Sequence, residues 1–280
     1  MLRRLCQFNM AQRRDPAAVQ EISWSQMYNR CNSNPKILDF RPAEEFNAGH
    51  LHICDRIDVG ATGEELNSVV RDQIRDQMQR NQTQRHCIML LTPTDWMVHS
   101  ARIMEALALS PRFLRYHRCH CFSETLSFAP FLASEASVAG VPSLIECLLP
   151  ARVFLSGISH ASPAIATQLR LGRIINVTPE VPRCPELTTS FPIEDKDAED
   201  IAPVLKDTRP IIAACVRDGM PILIHCHQGV SRSASVVIDY AASTLGISAN
   251  AAMDLVRRSR SIVQPNDAFM ARLREMHPPI

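Results

Sequence analysis

Apolar and polar positions along the chain fall into two blocks, separated by a stretch without clear periodicity at roughly Ala133 to Pro142. In the first block, Lys36-Ile37-Leu38-Asp39-Phe40 is a short apolar run that predicts a strand, followed by Arg41-Pro42-Ala43-Glu44-Glu45-Phe46 and then Gly49-His50-Leu51. The mostly polar segment from Glu64 to about Arg80 carries Leu66, Val69, Val70, Ile74 and Met78 at helical spacing. Cys87 to Leu91 predicts a second strand. After the turn residues Thr92-Pro93-Thr94-Asp95, a helix is expected from about Met97 to Leu109, apolar on one face. Strands alternating with helices predict a parallel sheet in an α/β layer architecture.

The second block is punctuated more clearly. Val153-Phe154-Leu155 predicts a strand ending at Gly157. Ser162 followed by Pro163 is a helix start, a capping hydroxyl before a proline at the first helical position. That helix is expected to stop at Leu171-Gly172, glycine being suited to the left-handed C-terminal turn. Arg173 to Thr178 predicts another strand, and a helix spans Ile201 to Val216, ending near Gly219. Pro221-Ile222-Leu223-Ile224-His225 then predicts a buried strand, with a loop from Cys226 to Arg232 and a helix opening at Ser233.

Composition narrows the classes. With 280 residues, 46% hydrophobic and 21% charged, the chain has the material for two soluble globular domains with real cores. A net charge of +1 without long runs of like charge argues against a nucleic-acid partner. No stretch approaches the roughly 18 apolar residues of a spanning helix, so no membrane partner is expected. The first fourteen residues hold four arginines and no acid. Residues 1–20 are read as a flexible basic start, a mitochondrial presequence being the alternative. Ten cysteines, with neither a secretory apolar core nor regular spacing, point to a chain with reduced thiols in the cytoplasm, and in the nucleus as a further location. His117-Arg118-Cys119-His120-Cys121 lacks a second pair at zinc-site spacing, so neither a metal nor any other cofactor is expected.

The chemistry concentrates in Ile224 to Ser235, I-H-C-H-Q-G-V-S-R-S-A-S. A strand feeding a seven-residue loop that opens into a helix brings backbone N–H groups and a helix N-terminus onto one anion. Cys226 would lie at the floor of this nest, where the same field favours thiolate over thiol. Gly229 permits the tight turn. Arg232 presents a planar fork of donors that suits two phosphate oxygens. The loop positions His227, Gln228, Gly229, Val230, Ser231 and Arg232 are therefore the expected phosphate cradle. A buried cysteine and an unrelated surface arginine would not account for Cys-x5-Arg closed by Ser233 at a strand-to-helix junction.

This motif resembles that of the cysteine-dependent protein phosphatases, His-Cys-x5-Arg-Ser/Thr, with every fixed position met by His225, Cys226, Gly229, Arg232 and Ser233. Val153 to Gly157, Ile175 to Thr178, Pro192 to Asp195, and Val256 to Asn266 followed by Phe269 and Leu273 resemble landmarks of the dual-specificity branch in the right order. The resemblance implies a dual-specificity phosphatase domain over residues 141–278, an α/β fold with a central mostly parallel sheet flanked by helices. It implies Cys226 as nucleophile, Arg232 as phosphate clamp, Ser233 aiding departure of the thiolate, His225 ordering the loop, and Asn266 bracing it. It places the general acid at Asp195, with Glu194, Asp197 and Asp200 as local competitors. Because relatives that act on inositol lipids carry basic residues in this loop and this one has no lysine, the resemblance implies a phosphoprotein substrate, carrying phosphotyrosine, phosphoserine or phosphothreonine. A non-catalytic phosphate-binding adaptor is the alternative.

Ile37 to Phe46 followed by Gly49-His50-Leu51 resembles a rhodanese-like domain, here given to residues 21–134. An active rhodanese needs a cysteine after the Cys87–Leu91 strand, and the chain reads Thr92-Pro93-Thr94-Asp95 instead. The resemblance therefore implies a catalytically inactive α/β module before the phosphatase domain. That is the layout of mitogen-activated-protein-kinase phosphatases and of serine/threonine/tyrosine-interacting-like proteins. It implies docking of a phosphorylated partner, a mitogen-activated protein kinase in the first group, although only dispersed Arg56, Arg71, Arg75 and Arg80 stand where a basic docking cluster would.

Overall fold

The structure, a computed structural model, describes residues 141–279 continuously. Before them it describes 19–31, 36–41, 43–48, 54–56, 86–91, 115–119, Met97 and Ile103. The chain divides into two compact units, Met1–Val138 and Ala139–Ile280.

In the first unit, β1 (Gln20–Glu21), β2 (Lys36–Asp39), β3 (Cys54–Arg56), β4 (His86–Leu90) and β5 (Arg115–Cys119) form one sheet in the order β1-β5-β4-β2-β3. Every pairing among its described residues is parallel. Ser23 caps helix α1 (Trp24–Arg30) and, with Gln26, closes a capping box, so two backbone donors at the helix start are satisfied reciprocally. Helix α2 (Ala43–Ala48) follows β2. The expected strands at 36–40 and 87–91 are β2 and β4, whereas β1, β3 and β5 were not expected. The helix expected over 64–80 lies outside the described residues, as does that over 97–109 except for Met97 and Ile103, both helical.

The second unit contains β6 (Ser143–Leu144), β7 (Val153–Gly157), β8 (Arg173–Asn176), β9 (Thr188–Ser190) and β10 (Ile222–Cys226), in the order β6-β7-β10-β8-β9. Only the edge strand β6 runs antiparallel. The helices are α3 (Pro163–Gln168), α4 (Ala202–Arg217), α5 (Arg232–Leu245), α6 (Ala249–Ser259) and α7 (Asp267–Met276). β10 is central and buried at every position, which is why it reads as a continuous apolar run. It pairs with β7 through Cys226↔Gly157 and with β8 through His225↔Asn176, so the C-terminal ends of three parallel strands converge where the loop begins. Helix α5 is buried from Arg232 to Ala242, its start driven into the core.

Two expectations change. Helix α3 ends at Gln168, and the left-handed turn falls on Arg170, φ 51°, not on Gly172. Leu171 N–H bonds Ala166 O at 2.8 Å and Arg170 N–H bonds Thr167 O at 3.1 Å, the paired closure of a Schellman turn. Gly172 serves packing instead: a Cβ there would meet the Met220 side chain at 2.1 Å. At the loop, Cys226 is the last residue of β10 and α5 opens at Arg232, each one residue from the expected boundary.

Candidate active site

The loop from Cys226 to Arg232 is shaped by what its carbonyls meet. His227 O accepts from Ile158 N–H at 3.0 Å, and Val230 O accepts from Gln264 N–H at 2.8 Å. Arg260 donates from Nη2 to Gln228 O at 2.9 Å and from Nε to Gly229 O at 2.8 Å. In a trans peptide the carbonyl and the next N–H point in opposite directions. Four carbonyls drawn outward therefore turn the N–H groups of residues 228 to 231 toward the cleft. Gly229 makes this possible: its φ is +69°, and a Cβ would lie 2.4 Å from Ser156 C. Gly157 allows the same approach from the strand side, since a Cβ there would meet His227 O at 2.8 Å.

Cys226, 1% exposed, receives two hydrogen bonds on Sγ, from Gly229 N–H and from the Ser233 hydroxyl, each at 3.1 Å. His225 behind it is 1% exposed, with Nδ1 3.4 Å from Cys226 O. Burial pushes the imidazole pKa below its ordinary value, keeping the ring neutral.

Arg232 is buried and lines the cleft beside Cys226. Its Nη1 donates to Ile193 O at 3.0 Å. Nε lies 3.6 Å from Asp195 Oδ2, near enough for attraction but too far for a hydrogen bond, and is left without a partner. A buried guanidinium without a full set of hydrogen bonds, on a residue that lines the cleft, suits an anionic acceptor.

Asp195 stands across the opening, its side chain 35% exposed. Its Oδ1 accepts from Ser231 Oγ at 2.7 Å and from Asn266 Nδ2 at 3.0 Å. Asn266 also donates its backbone N–H to Ser231 Oγ at 3.1 Å and caps α7 by accepting from Phe269 N–H at 2.8 Å. The acid, the loop and the start of α7 are thus tied into one cluster. Asp200 is occupied elsewhere, with Arg272 at 3.3 Å and with Ala202 N–H at 3.1 Å. Glu194 and Asp197 are exposed on the same loop. The cleft has a volume of about 310 Å³ and is lined by Asp195 and the loop from Cys226 to Arg232.

The structure therefore brings Asp195, Asn266, His225 and Ser233 together with the loop from Cys226 to Arg232, and leaves Glu194, Asp197 and Asp200 without a hydrogen bond or ion pair to it. Sequence reasoning missed Arg260, which holds two loop carbonyls, and Glu180, whose Oε1 is 3.1 Å from His227 Nδ1 at the opening. Arg260 stood within a quoted landmark without a role, and Glu180 carried no signal. Among the described residues no cluster of His, Cys, Asp and Glu is placed to hold a metal, and no helix is long and apolar enough to cross a membrane.

The protein-family model described as dual specificity phosphatase, catalytic domain, matches residues 153–278. Human Dual specificity protein phosphatase 9 is 31% identical over 131 residues, 45% of this chain and 34% of that protein. Human Protein phosphatase Slingshot homolog 2 is 39% identical over 83 residues, 30% of this chain and 6% of its own length. The chain thus spans about a third or less of these two relatives. Among solved structures, human DUSP28 is similar at 27% identity and a TM-score of 0.44, covering 49% of this chain and 95% of that one.

Proposed function

With residues 153–278 forming a dual specificity phosphatase catalytic domain, we propose that this chain hydrolyses phosphoproteins through a phosphocysteine on Cys226, accepting phosphotyrosine and phosphoserine or phosphothreonine. One observation carries the reading: a buried sulfur with two donors aimed at it shares a cleft with a buried arginine whose Nε has no hydrogen-bond partner. A sulfur nucleophile and a waiting anion clamp in one cavity suit phosphoryl transfer, where catalysis is positioning plus charge stabilisation.

In this mechanism the Cys226 thiolate attacks phosphorus. The S–P bond forms as the bond from phosphorus to the substrate oxygen breaks, and protonated Asp195 passes its proton to the leaving oxygen. The inward N–H groups of the loop and Arg232 hold the three phosphoryl oxygens. Water then attacks the phosphocysteine, giving a proton to Asp195 and releasing inorganic phosphate. Ser233, already donating to Sγ, stabilises the departing thiolate. Asn266 and Ser231 hold the carboxyl of Asp195 over the opening. The matches to Dual specificity protein phosphatase 9 and Slingshot homolog 2 support a phosphoprotein as substrate.

Residues 21–134 complete the reading as a non-catalytic docking module. The parallel sheet of the first unit supports this, as does the absence of a cysteine in the Thr92-Pro93-Thr94-Asp95 segment that follows β4. A mitogen-activated protein kinase is the partner its layout suggests.

The test is hydrolysis of an aryl phosphate by the purified chain under reducing conditions, wild type beside Cys226→Ser. Turnover in the wild type and none in the variant supports the mechanism. No turnover in either, with phosphopeptide binding retained, replaces it with a phosphate-binding adaptor.

A further inference from the structure

The two loops that frame the cleft are far more acidic than the chain. Glu180 after β8 and Glu194, Asp195, Asp197, Glu199 and Asp200 after β9 make six acids against two bases, Arg183 and Lys196, in a protein of net charge +1. Topology puts both loops at the cleft. β8 and β10 are parallel neighbours, and β9 runs parallel to β8, so the segments leaving β8 and β9 emerge at the edge where Cys226 ends β10. Two contacts fix them there, Glu180 against His227 and Asp195 against Ser231.

The counter-charges are mostly committed. Arg232 faces the phosphate position, and Arg260 is held by loop carbonyls. Arg272 pairs with Asp200 and with Glu275. Arg183 and Lys196 are the exposed cations left within the two loops. Against them stand Glu180, Glu194 and Asp197, all exposed. Asp197 is two residues from Asp195, hence within about 7 Å along the chain.

Glu180 is a fixed part of this rim. Its backbone carbonyl accepts from Asn176 Nδ2 at 2.8 Å and its N–H lies 3.3 Å from Thr178 Oγ1. Hydrogen bonding with the Thr178 side chain, then with its own backbone, lowers its pKa, so the carboxylate stays charged. The exposed side chain of Val181 beside it offers an apolar surface at the same edge.

We propose that this cleft selects singly phosphorylated protein segments carrying lysine or arginine beside the phosphorylated residue, with Glu180 on one rim and Asp197 on the other as the specificity-determining carboxylates. The inference rests on the phosphatase reading above and adds the substrate class. The unpaired Nε of Arg232 at the floor calls for one phosphate. The carboxylates on the two loops beside it repel a second phosphate, an acidic flank or the polyphosphorylated headgroup of an inositol lipid, and attract a basic flank.

The experiment uses the full chain with four substrates: an aryl phosphate, two phosphotyrosine peptides identical except for lysine or glutamate on both sides of the phosphoresidue, and vesicles containing a phosphoinositide. Each kcat/KM is divided by the same protein's aryl phosphate value, so that a change in the chemistry cancels. The basic peptide is expected to exceed the acidic one by roughly three- to thirtyfold, the range two or three exposed ion pairs supply. That ratio should shrink as salt shortens the screening length and approach one in the Glu180→Gln/Asp197→Asn double variant. Aryl phosphate turnover with equal peptides, an acidic preference, or faster turnover of the vesicles overturns the rim assignment and leaves the phosphatase reading standing. A ratio that survives in the double variant overturns the choice of these two carboxylates. Failure to turn over any of the four substrates removes the phosphatase reading, and the preference with it.

Discussion

Among the described residues each unit holds a five-stranded, largely parallel sheet, and the residues that follow its central strand differ. In the first unit β4 lies in the middle of the order β1-β5-β4-β2-β3 and is followed by Leu91-Thr92-Pro93. In the second, β10 lies in the middle of β6-β7-β10-β8-β9 and delivers Cys226 into a loop of inward N–H groups. The crevice at the carboxyl ends of parallel strands is where such folds place ligands. Architecture offers the place, and the side chains that arrive there decide whether chemistry follows. Past the end of β2 in the first unit, Arg41 donates from Nε and Nη2 to both carboxylate oxygens of Asp39, the carboxylate fully buried. In the second unit Arg232 Nε is buried without a hydrogen-bond partner, 3.6 Å from Asp195 Oδ2.

The sharpest way to break this contrast is at the sulfur. Cys226→Ser is expected to lower aryl phosphate turnover by at least about 10⁴-fold, the scale of losing a nucleophile, while the circular dichroism spectrum stays unchanged. Residual turnover above that level would place the chemistry elsewhere. Asp195→Asn should cost about 10²–10⁴-fold on an alkyl phosphopeptide, and much less on an aryl phosphate whose leaving group needs no proton. Equal losses on both would make Asp195 a structural tie between Ser231 and Asn266, not an acid.

In the first unit, Asp39→Ala removes the buried carboxylate to which Arg41 donates and is expected to destabilise by about 1.5–3 kcal/mol, the scale of hydrogen bonds to a charged group, read from urea unfolding. Aryl phosphate turnover should change less than about twofold under folding conditions, because the reacting groups all belong to the second unit. A large loss of turnover would show that the two units do not divide structure and chemistry as drawn here. Arg260→Met removes two charged hydrogen bonds from the loop carbonyls and should cost about 1.5–3 kcal/mol, with kcat/KM for aryl phosphate falling alongside it.

The smallest expected effect is acid sensitivity at His225. Its folded pKa lies below the ordinary value of about 6.5 because burial disfavours the charged ring. Its contribution to stability is therefore complete above pH 6.5 and is lost as pH falls through the depressed folded value. The urea midpoint of the wild type should drop over that window more steeply than that of His225→Asn.

Legibility tracked distance along the chain. The Cys226–Arg232 loop announced itself because the strand, turn and helix start that build it are contiguous, and the buried β10 reads as an unbroken apolar run. Short edge strands did not: β6 is two residues and β9 is Thr-Thr-Ser, too brief and too polar for any alternation to register. The end of α3 was misplaced because an arginine took the left-handed turn for which glycine is the stronger signal.

Composition and local order were enough to establish an α/β chain, a strand–loop–helix anion cradle, and the residue types within it. Periodicity and turn chemistry act over a few residues, and those features live on that scale. Tertiary structure alone decided which carbonyls Arg260 would pull outward, 31 residues from Gly229, and which acid would meet Ser231, 36 residues away. It also decided that Glu180 would reach His227 across 47 residues. Such contacts depend on strand order and register, which are set when the sheet packs its core, and no local pattern encodes them.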